Sequence, residues 1–172
     1  MEELLQEIEQ ALKLKLYLMA LQTTLTLPDI CSNIEYPNMR NKVRERYVMW
    51  FNNNIATQAF KPKPNLFLEA EDCYMARCGI VHQAIANHER MTKYERLFFV
   101  LPSQVTICNC AIGNIGVNDL EDFCSLVISS VRKWEIYIQN RNDYQLLIKD
   151  IIRYRQGLEP AFHIEPPIKY IG

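Results

Sequence analysis

Arg77 and His82 are the two side chains in this sequence best suited to handle a phosphate and a proton. An imidazole titrates near neutral pH and can take or give a proton, and a guanidinium presents a planar fork that fits phosphate oxygens. Both sit in Glu69 to Ala86, Glu-Ala-Glu-Asp-Cys-Tyr-Met-Ala-Arg-Cys-Gly-Ile-Val-His-Gln-Ala-Ile-Ala. Apolar residues recur there near the helical period, and Glu69, Glu71 and Asp72 crowd the end where a helix dipole favours anions, so the stretch is expected to be a helix. An arginine and a histidine in an otherwise core-like helix need partners, which means a polar cleft, a polar neighbour or a second chain.

Residues five apart on a helix are rotated by about 140° and raised by about 7.5 Å, so Arg77 and His82 do not stack on one face. Tyr74, Cys78 and His82 do, in successive steps of four. Arg77 lies to one side, next to Cys73, and Gly79 lets another backbone approach. The geometry allows Arg77 and His82 to flank one site without touching. A Cys78–His82 thiolate pair is the weaker alternative, because no oxyanion motif or third orienting residue accompanies it.

The hexad Arg77-Cys-Gly-Ile-Val-His82 resembles the Arg-x4-His signature of the HEPN superfamily, small helical proteins that include bacterial toxin and defence ribonucleases. Together with Leu27-Pro-Asp-Ile-Cys31, Tyr47-Val-Met-Trp-Phe51 and Asp72 to Cys78, it is similar to a family of short bacterial HEPN proteins over most of the chain. The resemblance implies a helical bundle and a homodimer in which Arg77 and His82 of two protomers cleave RNA without metal by attack of the ribose 2′-OH. It makes His82 the general acid or base and Arg77 the phosphate holder. Asp72, Tyr74 and Cys78 are the supporting positions. Some relatives place Lys just before the arginine and Asn, Asp or His just after it; here Ala76 and Cys78 stand there. The resemblance therefore leaves two functions open, a metal-independent endoribonuclease and a non-catalytic HEPN module that binds RNA, a nucleotide or a partner protein. A cognate antitoxin is a further partner it implies.

Read without those blocks, His82 is a satisfied core histidine and Arg77 the partner of Asp72 or Glu71 in a structural ion pair. Tyr74 is then a packing residue with a bonded hydroxyl. The formal net charge of −1 gives no general attraction to nucleic acid, so RNA affinity must come from local patches. Arg40, Lys42, Arg44 and Arg46 form the densest, followed by Lys61 and Lys63, with Arg153 and Arg155 late in the chain; a solvated helix face is the competing explanation. His88 and His163 are expected to be surface residues.

The 172 residues, 49% of them hydrophobic, suit a single domain with a real core. No apolar run approaches a membrane span, and the acidic start, Met-Glu-Glu-Leu-Leu-Gln-Glu, lacks a secretory pattern, so a cytoplasmic protein without membrane contact is expected. Six cysteines, Cys31, Cys73, Cys78, Cys108, Cys110 and Cys124, are scattered as reduced thiols would be. Cys108 and Cys110 lack a second pair, so neither metal nor any other cofactor is expected.

The elements that must position the pair follow in order. Glu2 to about Thr23 is an amphipathic helix, and Thr26-Leu-Pro-Asp29 restarts a short one to about Ile34. Asn38 caps a helix to about Ala59, and Lys61 to Asn65 connects it to the central helix. Arg96 to Leu101 and Val105 to Ala111 form a hairpin around Pro102-Ser-Gln. Asn118 caps a helix from Asp119 to about Asn140 with Phe123, Val127, Val131, Trp134 and Ile138 on its buried face. A last helix spans Asp143 to Arg155, and Glu159 to Gly172 is an extended tail. The fold class is mainly α: an up-and-down bundle of about five helices with a small β-hairpin at one edge.

Overall fold

A computed structural model of the chain describes residues 1–56, 68–83, 85, 90–102, 109–149, 151, 154–157 and 168–171. Lys61, Lys63, His88, Cys108, Arg153, His163 and most of the expected second hairpin strand lie outside these residues.

The fold is mainly α with a small β element, and it is built around one helix. Helix α1, Glu2–Lys13, opens on Glu2 and Glu3, closes on Lys13 and buries Leu5 and Ile8. It does not run on to Thr23 as its periodicity suggests. At Lys15 the backbone takes φ 60°, and Leu16 N–H turns back to Ala11 O at 2.8 Å. No glycine, proline or asparagine marks this break. It frees α2, Tyr17–Glu35, to pack against α1.

Helix α2 is also continuous where a restart was expected, running through Pro28. Proline removes one ladder donor, and nearby the Thr26 hydroxyl donates to Thr23 O at 2.7 Å. Buried residues from Ala20 to Ile34 cover most of its circumference, as befits a helix with neighbours on several sides. Those neighbours include α1, α3 (Val43–Phe51), α4 (Ala70–Gln83) and α5 (Leu120–Ile138).

The expected helix from Asn38 to Ala59 is divided. A 3-10 turn at Pro37–Met39 precedes α3, and a π turn at Asn52–Ala56 follows it through three consecutive asparagines, where Asn54 Nδ2 donates to Trp50 O at 3.0 Å. Tyr47, Trp50 and Phe51 enter the core, with Trp50 edge-on to Trp134 of α5 at 5.8 Å. In α5 all five residues of the expected face are buried. Its cap is Asp119, whose carboxylate accepts from Asp122 N–H at 2.9 Å, while Asn118 is buried in the preceding strand.

The hairpin expectation is corrected. Strand β1, Arg96–Val100, pairs in parallel with β3, Ile115–Asp119, from Arg96↔Ile115 to Val100↔Asp119. Strand β2, Cys110–Ile112, pairs antiparallel with β3 across the turn at Gly113, whose φ of 55° suits glycine. The order is β1-β3-β2, so the tight turn joins β2 to β3 and not β1 to β2. The last expected helix is short: α6, Tyr144–Ile148, gives way to β4, Tyr154–Gly157, which pairs antiparallel with β5, Ile168–Ile171. The tail supplies a strand partner where the sequence suggests the helix runs on to Arg155.

Candidate functional site

Three helices bring four charged or titratable side chains into one chain of contacts. Asp29 comes from α2, Arg46 from α3, and Arg77 and His82 from α4. Arg46 is only 7% exposed, and its Nη2 donates to Asp29 Oδ1 at 2.7 Å while Nη1 donates to Asp29 O at 2.7 Å and Ser32 Oγ at 3.1 Å. Arg77 Nη2 donates to the other carboxylate oxygen, Asp29 Oδ2, at 2.7 Å. From its opposite corner, Arg77 Nη1 lies 3.1 Å from His82 Nε2.

The direction of this last contact follows from the donor inventory. A guanidinium has no lone pair to offer, so Arg77 donates and His82 Nε2 accepts, which puts the proton of the neutral ring on Nδ1. Arg77 and His82 therefore touch, where helical spacing alone left them flanking. The reach comes from the long arginine side chain spanning the azimuth between the two positions. His82 is exposed near the end of α4, where Ile85 N–H closes back on Gly79 O at 3.1 Å.

The cluster holds two guanidiniums against one carboxylate, a surplus of positive charge at a site mostly removed from water: the Arg77 side chain is 16% exposed and that of Asp29 14%. The Nε of each arginine is buried with no hydrogen-bond partner among the described residues. A phosphate-sized anion at the His82 side would meet a fixed cation and an imidazole nitrogen together. Tyr74 and Cys78 border the cluster on the same helix. Tyr74 packs edge-on against Tyr47 at 5.2 Å, and burial first, then the neighbouring Cys78, raises its phenol pKa above the ordinary tyrosine value.

Asp72 is not in this cluster. Fully buried, it turns to the segment before β1: Oδ1 accepts from Thr92 N–H at 2.5 Å and Thr92 Oγ1 at 3.1 Å, and Oδ2 from Lys93 N–H at 3.1 Å and Tyr94 N–H at 3.0 Å. Glu71 pairs with Arg44 at 2.7 Å, so neither acid is the partner of Arg77. Of the basic patch, Arg46 faces inward, Arg44 is taken by Glu71, Lys42 lies 3.4 Å from Glu45, and Arg40 is exposed.

A cavity of about 290 Å³ opens at the other end of α4, between Val48, Asn52, Ala70 and Thr92. It shares no lining residue with the cluster, and its charged walls, Glu69, Glu71 and Lys93, include two acids, which suits an anion poorly. Among the described residues no three His, Cys, Asp or Glu side chains gather as a metal site.

Asp29 is a site member that the sequence does not announce, and Arg46, which the sequence places in the basic patch, belongs to the cluster instead. Arg46 carried a signal: it shares a helical face with buried Trp50, four residues on, so it belongs to the inner stripe and not to the basic surface. Asp29 carried none beyond its place in Leu27-Pro-Asp-Ile-Cys31, because its partners are distant in sequence. Comparison with protein-family models, curated proteins and solved structures finds no match to this chain.

Proposed function

We propose that the protein is a metal-independent endoribonuclease of HEPN toxin or defence type, with Arg77 and His82 as its catalytic pair. The observation that carries this reading is the 3.1 Å contact between Arg77 Nη1 and His82 Nε2 at an exposed helix end. An RNA phosphate oxygen entering there takes over the Arg77 donor and leaves the Nε2 lone pair free. That lone pair accepts the 2′-OH proton, O2′ bonds to phosphorus, and the P–O5′ bond breaks. The leaving oxygen takes a proton from an imidazolium, giving a 2′,3′-cyclic phosphate and a 5′-hydroxyl. Arg77 holds the non-bridging oxygens as charge builds on them. A homodimer would bring a second Arg77–His82 pair to serve as the acid, completing a composite site.

Arg40 and Arg44, with Lys61 and Lys63, are the cations proposed to track the RNA backbone. The five described cysteines are free thiols, which supports a reducing compartment such as the cytoplasm. No helix among the described residues is long and apolar enough to cross a membrane.

A second reading, a non-catalytic module that binds RNA, a nucleotide or a partner protein such as an antitoxin, is favoured by Cys78. A half-buried thiol beside Arg77 is a weak hydrogen-bonding group where a stronger one would help hold a phosphate.

The test is incubation of the protein, His82→Ala and Arg77→Ala with mixed RNA in EDTA, followed by analysis of fragment ends. Cleavage that survives chelation, leaves cyclic phosphate ends and disappears in both folded variants is the expected result. Binding of RNA without cleavage by the wild-type protein selects the second reading, and cleavage retained by both variants removes the site.

A further inference from the structure

We propose that Asp29 is the positioning residue of the Arg77–His82 site, an assignment that rests on the ribonuclease reading for its consequence but not for its geometry. Its two carboxylate oxygens have different tasks. Oδ1 and the backbone carbonyl of Asp29 are both gripped by Arg46, and Ser32 Oγ also donates to that carbonyl at 3.0 Å. The carboxylate thus cannot turn without giving up Arg46. Oδ2 is left at a fixed point and receives Arg77 Nη2 at 2.7 Å. Because a guanidinium is planar, anchoring Nη2 sets where Nη1 points, and it points at His82 Nε2, 3.1 Å away.

The order of the contacts is therefore Arg46, Asp29, Arg77, His82, with information about position passing from α3 through α2 to α4. A long arginine side chain held at one corner only would otherwise sample several rotamers. Asp29 does not touch His82 and takes no proton; it acts through Arg77. An ordinary structural ion pair would need only one cation. Here a second, more deeply buried cation fixes the carboxylate that holds the first, and the Arg77 donor left over faces the imidazole.

The experiment compares Asp29→Asn and the double variant Asp29→Asn/Arg46→Met with the wild-type protein. The double variant removes one buried cation together with the carboxylate charge and leaves one unbalanced cation where the single variant leaves two, so it is expected to be the less destabilised, and urea unfolding checks that it is folded. One readout is the ¹⁵N spectrum of the arginine side chains, in which a doubly anchored guanidinium shows resolved Nη protons; the Arg77 signals are assigned by their loss in Arg77→Lys. The other is cleavage of an RNA oligonucleotide, resolved into kcat and KM. In the folded double variant the resolved Arg77 signals are expected to vanish, and kcat to fall about 100-fold with KM changed far less, the size of loss a misplaced catalytic group brings. Retention of the Arg77 signals, or an unchanged kcat in a folded variant, overturns the assignment. If the wild-type protein cleaves no RNA, the ribonuclease reading fails, and the arginine spectrum alone still decides whether Asp29 holds Arg77.

Discussion

Truncating Asp72 should unlatch the segment that leads into β1, and the cost can be worked out bond by bond. The buried carboxylate accepts from three backbone amides and one hydroxyl. Thr92 and Lys93 are exposed, so their amides can turn to water after Asp72→Ala, and each lost bond then costs about 1 kcal/mol net. Tyr94 is 5% exposed, and its N–H has no other acceptor among the described residues, which adds about 1–3 kcal/mol for an orphaned buried donor. Three such bonds, from the Thr92 amide and hydroxyl and the Lys93 amide, together with the orphaned donor sum to a loss of about 4–6 kcal/mol, large for a single substitution. Asp72→Asn should cost about half as much, since a carboxamide oxygen keeps some of the bonds while its NH2 faces donors. Urea unfolding measures both, and hydrogen exchange at the Tyr94 amide should quicken first. A loss below about 1 kcal/mol for Asp72→Ala would refute the bond count. A folded Asp72→Asn protein with defective RNA cleavage would refute the assignment of Asp72 to the latch, and return it to the supporting place its position before Arg77 first suggested.

Glu35→Gln tests a pH dependence. Burial raises the Glu35 pKa despite the Trp134 indole N–H that donates to it at 2.7 Å, so the native state holds this proton more tightly than the unfolded chain. Stability is then lost as pH rises from the ordinary glutamate range through the raised value. The amide variant keeps an acceptor for Trp134 and escapes that loss, so its advantage in urea midpoint should be absent at low pH and present at neutral pH. Leu25→Ala, at a fully buried position on α2, should cost about 3–4 kcal/mol in the same assay. Arg132 joins α5 to α1 through Glu2 and Glu9 at 2.7 and 2.8 Å, but its side chain is 38% exposed. Arg132→Ala should cost no more than about 1 kcal/mol, and less in high salt. Its hydrogen bond holds the Glu2 pKa below the ordinary value, so this contribution should fade as pH falls through that lowered range.

How far the sequence speaks for itself differs from element to element. The buried face of α5 was legible because one amphipathic helix sets its own period, and α4 was legible for the same reason with acids at its start. The break at Lys15 was not, since its cause is the packing of α2 back on α1 and no turn residue announces it. Pro102-Ser-Gln looked like a hairpin turn, but the partner of β1 is β3, and a parallel pairing leaves no local mark. In the site, Arg77 and His82 stand in one hexad and were visible. Asp29 was not, because an ion pair between residues 48 positions apart is a property of how three helices meet.

The parallel pairing also bears on how the chain behaves while it is being made. Strand β1 is synthesised before β2 and cannot meet β3, its partner among the described residues, until Asp119 has been added, a wait on the order of one to a few seconds at about 5–20 residues per second. During that time Leu97, Phe98, Phe99, Val100 and Leu101 form a sticky run of the kind that nucleates aggregation. Arg96 and Pro102 stand at its two ends, a charge and a strand breaker, placed where a gatekeeper is needed.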